Sequence, residues 1–284
     1  CDKLLMTTEL TNAEYHAHKA ISKSKLDAAR KSGKHLQDML FGPPRESTAA
    51  FDLGTVLHAS ALPGENPDEI AVRMPDGMKK TTKDGIAFKK EHQGKIILSP
   101  ADAYLIDQMM LSLREHPFSA SLVSGDLKGK AEQSFFCTDS ETGLEIKARP
   151  DLILEDYSLI LDLKTTRDAS PRGFQRSVAE FRYFVQASHY LDVVEGATGR
   201  RPEAFLFVAV EKTRPFSTAV YMADQAMIDL GKQHAREDLS NIAKWMSEDH
   251  YPGYSEQVEE ISLPKWMLPK EDGTPSDHQP IELY

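Results

Sequence analysis

Apolar residues recur at helical spacing through the first 62 residues and again over 99–116. They alternate with polar residues between about 131 and 165, then return to helical spacing on either side of a solid apolar run at 203–211. The first part predicts helices. Asn12 is placed to cap one. ISKSKLDAARKSGKHLQDML (21–40) carries Leu26, Ala29, Leu36 and Leu40 on one side until Gly42-Pro43-Pro44 stops it, and FDLGTVLHASAL (51–62) forms another helix, ended by Pro63-Gly64. A polar, Lys-rich connection to about residue 94 follows. Ser99, Pro100 and Asp102 then supply the cap, the first-turn proline and the first-turn acid of a helix running to about His116.

Over 131–165 the period is two. AEQSFFCT, GLEIKARPDLIL and SLILDLKT predict three strands joined by turns at DSETG and EDYS, an antiparallel meander. FQRSVAEFRYFVQASHYLDVVEGATG (174–199) predicts one long helix ended by Gly196 and Gly199. EAFLFVAVE (203–211) predicts a buried strand with FSTAVYM as its partner. In DQAMIDLGKQHAREDLSNIAKWM (224–246), Met227, Leu230, Ala235, Leu239, Ile242 and Met246 share one side of a last helix, and the Pro-rich, acidic end from 251 onward is expected to be extended. The order α, βββ, α, β predicts an α/β fold with a central mixed sheet flanked by helices. We expect one domain over 1–284: a core at about 51–223, a helical part at 1–50, a helix at 224–247 and a tail at 248–284.

Composition narrows the chemistry. Of 284 residues 40% are hydrophobic, enough for a large core, yet no apolar run approaches the roughly 20 residues of a membrane span. With no signal peptide visible either, the expected location is the cytoplasm and no membrane partner is expected. The chain opens on Cys1 without a methionine, as a segment of a longer protein would. Two cysteines, Cys1 and Cys137, exclude a disulfide framework and a four-thiolate cluster, so any metal is held by oxygen and imidazole. The net charge of −10 argues against a nucleic-acid partner, but it is uneven. Residues 248–284 hold nine acids and two lysines, a contribution of −7, whereas 79–95 carry lysines 79, 80, 83, 89, 90 and 95 against Asp84 and Glu91. That stretch is compatible with DNA, though a solvated lysine-rich loop is the better reading of it.

LDLKTT (161–166) places an aspartate and a lysine two residues apart inside an apolar strand. Strand alternation puts Leu159, Leu161 and Leu163 on one face, and Ile160, Asp162 and Lys164 on the other. In the preceding strand Leu144, Ile146, Ala148, Pro150, Leu152 and Leu154 share the apolar face, leaving Glu145, Lys147, Arg149, Asp151 and Ile153 opposite. A tight two-residue turn centred on Asp156-Tyr157 makes Asp151 and Asp162 direct cross-strand neighbours, with Cβ atoms about 4.5 to 5.5 Å apart. Such a pair repels unless a cation lies between. Two carboxylates, a backbone carbonyl and open water positions suit Mg²⁺, and Lys164 then positions or deprotonates an attacking water, or offsets charge in a phosphoryl transition state. The alternative is a surface strand whose acids pair with Arg149 and Lys164.

Pro150-Asp151 followed by Asp162-Leu163-Lys164 resembles the PD-(D/E)XK nuclease superfamily, whose core has the same α-βββ-α-β order. Gly54 and His58 resemble the GxxxH element of its RecB-like branch, and Gln186 and Tyr190 its QxxxY element. ISKSKL, ARPDLI, LDLKTT, FVQASHY and FVAVEK extend the resemblance over nearly the whole chain to the nuclease region of the RecE (exonuclease VIII) family. The resemblance implies that His58, Asp151, Asp162 and the Leu163 carbonyl hold one or two Mg²⁺ ions, with Mn²⁺ as a substitute. It implies that Gln186 and Tyr190 reach the lysine and a substrate phosphate. A partly buried histidine and a core tyrosine are the alternatives. Arg172 and Arg176, with Arg167 and Arg182, are expected to track a DNA backbone. Glu132 on the first strand is a candidate for a further metal ligand and Glu211 for a place near the site, but each reads better as an ordinary strand-end acid.

The resemblance further implies an exonuclease that degrades the 5′-ended strand of linear double-stranded DNA, leaving a 3′ tail. A ring-shaped homotetramer and a partner of the RecT single-strand-annealing type belong to the same expectation. A restriction-type or structure-specific endonuclease, a non-catalytic DNA-binding module and a hydrolase of small phosphate esters compete with it.

Overall fold

The computed structural model describes residues 10–43, 48–255 and 257–264. Its elements run α1 (Asn12–Ala17), α2 (Lys23–Lys31), α3 (Gly33–Phe41), α4 (Ala49–Ala61), α5 (Pro67–Ile70), β1 (Ala71–Arg73), α6 (Lys83–Glu91), β2 (Ile96–Leu98), α7 (Pro100–Glu115) and α8 (Ser119–Val123). They continue with β3 (Gly129–Ala131), β4 (Phe135–Thr138), β5 (Glu145–Ala148), β6 (Leu152–Leu154), β7 (Leu159–Thr166), α9 (Pro171–Glu180), α10 (Tyr183–Thr198), β8 (Ala204–Glu211), β9 (Thr218–Met222) and α11 (Gln225–Glu248). The central sheet has the strand order β3-β6-β7-β8-β9. Within that sheet only β7 and β8 pair in parallel, and α9 and α10 form the crossover that a parallel pair requires.

Both faces of this sheet are covered. Leu152, Leu161, Leu163, Val208 and Val210 pack with Leu57 of α4 and Ile106 and Leu113 of α7. Ile153, Ile160, Phe205, Phe207 and Ala209 pack with Val185 and Leu191 of α10 and Leu239 of α11. Burial on both sides is why β8 reads as an unbroken apolar run. Each fully buried side chain of this kind contributes about 1.5–3 kcal/mol. The result is the mixed sheet flanked by helices that the element order predicts.

Several boundaries are set by contacts distant in sequence. The helix expected over 21–40 is two helices, α2 and α3, separated at Ser32, which is extended and accepts from His35 N through its Oγ. A Cβ on Gly33 would lie 2.6 Å from Pro252, and Lys34 N donates to Pro252 O, so the break fits the returning C-terminal segment. Thr11, not Asn12, caps α1, through a capping box with Glu14. The helix expected over 174–199 divides into α9 and α10 at Arg182, whose φ of 52° is left-handed. Gly196 lies inside α10 rather than ending it, and Gly199 supplies the left-handed cap. In α11 Leu230 and Met246 are 47% and 43% exposed, so the buried stripe is narrower than expected and runs through Ile228, Ala235, Leu239 and Ile242. The Lys-rich connection is structured: β1 and β2 pair in parallel around α6, which Thr82 caps. Residues 251–255 and 257–264 form neither helix nor strand, while Cys1 and the tail beyond 264 lie outside the described residues. Among the described residues no helix is long and apolar enough to cross a membrane.

The meander is present in the expected order, but its first two strands are each split: β3 pairs with β6, and β4 with β5. Its polar face is not open. Residues 10–21 fold over it, Ile21 N donates to Glu145 O, and Lys147 N donates to Ile21 O. Lys147 Nζ donates to the carbonyls of Tyr15 and His18. Arg149 donates to Ser134 Oγ at 2.9 and 2.6 Å and to Leu10 O at 2.9 Å. Both cations stand over the Tyr15 ring, 4.2 and 4.1 Å from its centroid. Arg149 is therefore held by Ser134 and the N-terminal arm rather than by Asp151 or Asp162.

Candidate active site

Pro150 has no N–H for a ladder, and the strand it interrupts resumes one residue later, after Asp151. The β6–β7 connection is the four-residue Glu155–Ser158, with Tyr157 left-handed and its N donating to Leu154 O, rather than a two-residue turn. It keeps the same centre, so Leu152 pairs with Leu161 and Ile153 with Ile160, and continuing that register sets Asp151 opposite Asp162. The β3–β6 pairs Ala131 with Leu152 and Lys130 with Ile153, continued in the same way, set Glu132 opposite Asp151. Glu132 N donates to Asp151 O at 3.1 Å. Three neighbouring strands thus place three acids at one level of the sheet.

Their side chains divide the work. Asp151 Oδ2 accepts from Leu163 N at 2.6 Å and lies 3.4 Å from His58 Nδ1. His58, from α4, donates through Nε2 to Leu163 O at 3.0 Å when that nitrogen carries the proton. Asp162 is 1% exposed; its Oδ1 accepts from Gln186 Nε2 at 2.6 Å, and its Oδ2 lies 2.6 Å from Lys164 Nζ. Lys164 Nζ stands 4.8 Å from the centroid of the Tyr183 ring. Burial would push His58 down, but the Asp151 carboxylate overrides it and raises the imidazole to about 9. Burial pushes Asp162 up to about 6 against the pull of Lys164. Burial together with the Asp151 charge pushes Glu132 up to about 7.

These residues fit a divalent cation. One ligating atom from each of His58, Glu132 and Asp151 lies within 4.8 Å of the others, a hard-oxygen and imidazole donor set. Crowded buried carboxylates are the condition a cation relieves. Asp162 lies outside that group, with its oxygens taken up by Gln186 and Lys164. Glu132→Gln is expected to weaken divalent-cation affinity by at least about 10-fold, measured by calorimetric titration of Mn²⁺. An unchanged affinity would remove Glu132 from the ligand set.

Other residues singled out in the sequence are placed differently. Gln186 donates to Asp162 rather than reaching the lysine, and Tyr190 packs edge to face on Phe205 at 6.2 Å, so both face inward. Arg182 is held by Asp27 and Asp238 and is a structural cation, not a backbone contact. Arg167, Arg172 and Arg176 are exposed, the last two on α9. Glu211 accepts from Ala169 N and Ser217 N and braces a loop. Beside the acids opens a cleft of about 600 Å³, lined among others by Phe51, Gly54, His58, Glu132 and Lys164.

Residues 18–264 match the model of a family described as "PDDEXK-like domain of unknown function (DUF3799)". No curated protein matches the sequence. Among solved structures, a crystal structure described as "Putative exonuclease" from Eubacterium rectale is similar with a TM-score of 0.61 at 12% identity, over 90% of this chain and 97% of that one. A phage related exonuclease from Haemophilus somnus 129PT aligns over 62% of this chain and 90% of its own, with a TM-score of 0.33 at 13% identity.

Proposed function

The chain belongs to the family of PDDEXK-like domains, and from that premise we propose that it is a divalent-metal-dependent exodeoxyribonuclease acting on the 5′-ended strand of linear double-stranded DNA. The observation that carries the reading is the meeting of Asp151, Asp162, Lys164 and His58, from three separate elements, beside one cleft. Asp151, Glu132 and His58 would hold the metal, Mg²⁺ or Mn²⁺, while Asp162, on Gln186 and Lys164, and the Leu163 carbonyl, on His58, stand beside them. Such a cation, when bound, polarises the phosphoryl oxygen and stabilises the leaving 3′-oxygen.

The chain's own groups do the rest. Lys164, an ammonium anchored on Asp162 and backed by the Tyr183 ring, donates hydrogen bonds toward the phosphate or the incoming water and offsets developing negative charge. Gln186 fixes the Asp162 carboxylate so that the ammonium does not swing away. Leu163 N, donating to Asp151, and Leu163 O, accepting from His58, tie both side chains to the rigid centre of β7. Arg172 and Arg176 on α9 would track the strand backbone. A homotetrameric ring and a single-strand-annealing partner of the RecT type complete the proposal; the Eubacterium rectale neighbour, described as a putative exonuclease, is in keeping with its exonuclease part alone.

The test is Mg²⁺-dependent release of acid-soluble nucleotides from end-labelled linear duplex set against closed circular DNA. Release from linear DNA alone, with the 5′-ended strand shortened, is expected. Cutting of the circle would establish an endonuclease instead, and no release from either would leave a non-catalytic module.

A further inference from the structure

One helix face beside the site carries features that neither the metal site nor the core uses. On α4, Phe51, Gly54, Thr55 and His58 follow the spacing of a single helical face, and all four line the cleft. Phe51 is 64% exposed and belongs to neither of the two cores that sandwich the sheet. Its backbone is fixed, because Phe51 N donates to Thr48 Oγ1 at the helix cap. The Thr55 hydroxyl turns back to Phe51 O at 3.0 Å and so offers the cleft little polarity.

Gly54 is the more telling residue. Glycine inside a helix lowers its stability relative to alanine, and a fold keeps it there for left-handed backbone or close packing. Neither applies: Gly54 is helical, and a Cβ built on it meets nothing within 4 Å. Contrast Gly231 in α11, where a Cβ would lie 2.1 Å from Phe184 O. The bare patch at Gly54 faces the cleft one turn from His58, and Phe51 lies about 10 Å from His58 along the axis. What the patch accommodates is therefore something that enters the cleft.

We propose that the Phe51–Gly54 face of α4 is a nucleobase subsite: the base beside the reacting phosphate of an unpaired DNA strand lies flat on the backbone at Gly54 and stacks on the Phe51 ring. The proposal rests on the nuclease reading and deepens it. Aromatic stacking is tolerant of sequence, as a strand-degrading enzyme needs, and the cationic Lys164 in the same cleft holds the phosphate end of that nucleotide. Phe51 lies outside the metal-ligand group, so it selects the strand without touching the ions.

The experiment compares wild type, Phe51→Ala, Phe51→Tyr and Gly54→Ala by two readouts. One is binding of a single-stranded oligonucleotide carrying terminal 2-aminopurine, in Ca²⁺; the other is the thermal midpoint. Phe51→Ala should weaken binding about 5- to 100-fold and abolish the fluorescence quenching, and Phe51→Tyr should restore both. Gly54→Ala should raise the midpoint by about 2 °C while weakening binding, a combination that a purely structural glycine does not give. Unchanged binding in Gly54→Ala, a lowered midpoint in that variant, or retained quenching in Phe51→Ala would overturn the subsite. A wild type that cuts linear DNA while the variants match it in every readout sinks the subsite alone. A wild type that neither binds nor cuts DNA sinks the nuclease reading with it.

Discussion

Asp162→Asn is expected to reduce DNA hydrolysis by about 10³-fold while leaving the fold in place. The substitution is close to isosteric, and the asparagine Oδ1 still accepts from Gln186 Nε2, so the α10 contact survives. What disappears is the charge that anchors Lys164 at 2.6 Å and contributes to the field at the metal site. Stability changes little. Burial makes the Asp162 carboxylate costly, pushing it up to about 6, so neutralising it removes an expense, and the Lys164 ammonium left behind is not stranded, because it lines the open cleft and keeps the Asp151 charge beside it. Acid-soluble release and circular dichroism on the same preparation check both halves. Near-wild-type activity would move the chemistry to another part of the cleft.

The second large effect is on stability. Arg182 sits left-handed between α9 and α10 with its guanidinium on Asp27 of α2 and Asp238 of α11, so one side chain ties three helices together. Asp238 is 1% exposed, and its remaining cation, Arg30, is 3.8 Å away. Arg182→Ala leaves a buried carboxylate nearly unpaired, at a cost of about 3 kcal/mol, which lowers the thermal midpoint by about 5 °C. Combining it with Asp238→Leu should recover much of the loss, because both charges are then gone. An unchanged midpoint in the single variant would show that the pair is solvated and contributes nothing.

Arg182 also shows where the sequence stops being informative. Its neighbours have continuous helical spacing, and the break depends on Asp27 and Asp238, acids 155 and 56 residues away. The division at Ser32 likewise depends on Pro252. Lys147 and Arg149 alternate as exposed residues of a strand should, and nothing local announces that residues 10–21 lie across them. Long-range packing overrides local pattern in each case.

The acids are the opposite case. The opposition of Asp151 and Asp162 follows from strand alternation and the position of the EDYS turn, and it survives a change of turn length because the centre is unchanged. Glu132 was legible by the same method. Phe135 pairs with Ala148 in the register that pairs Ala131 with Leu152, so a centre placed within the DSETG turn, carried back through the interruption at Pro150, sets Glu132 opposite Asp151. Glu132 looks like an ordinary strand-end acid only while strand alternation is carried through the β6–β7 hairpin and not through the DSETG one. The left-handed φ of 50° at Glu132 marks the same place in the backbone.

The proposed function stands or falls with a divalent cation held by this row of acids and His58 where the chain meets its substrate. A crystal grown with Mn²⁺ tests it most directly, through anomalous difference density. A peak within coordination distance of the Asp151 carboxylate, bordered by His58 and Glu132, is expected, and it should be lost in an Asp151→Asn crystal grown alongside. Manganese bound elsewhere on the chain, with that position filled only by the His58–Asp151 contact, would contradict it.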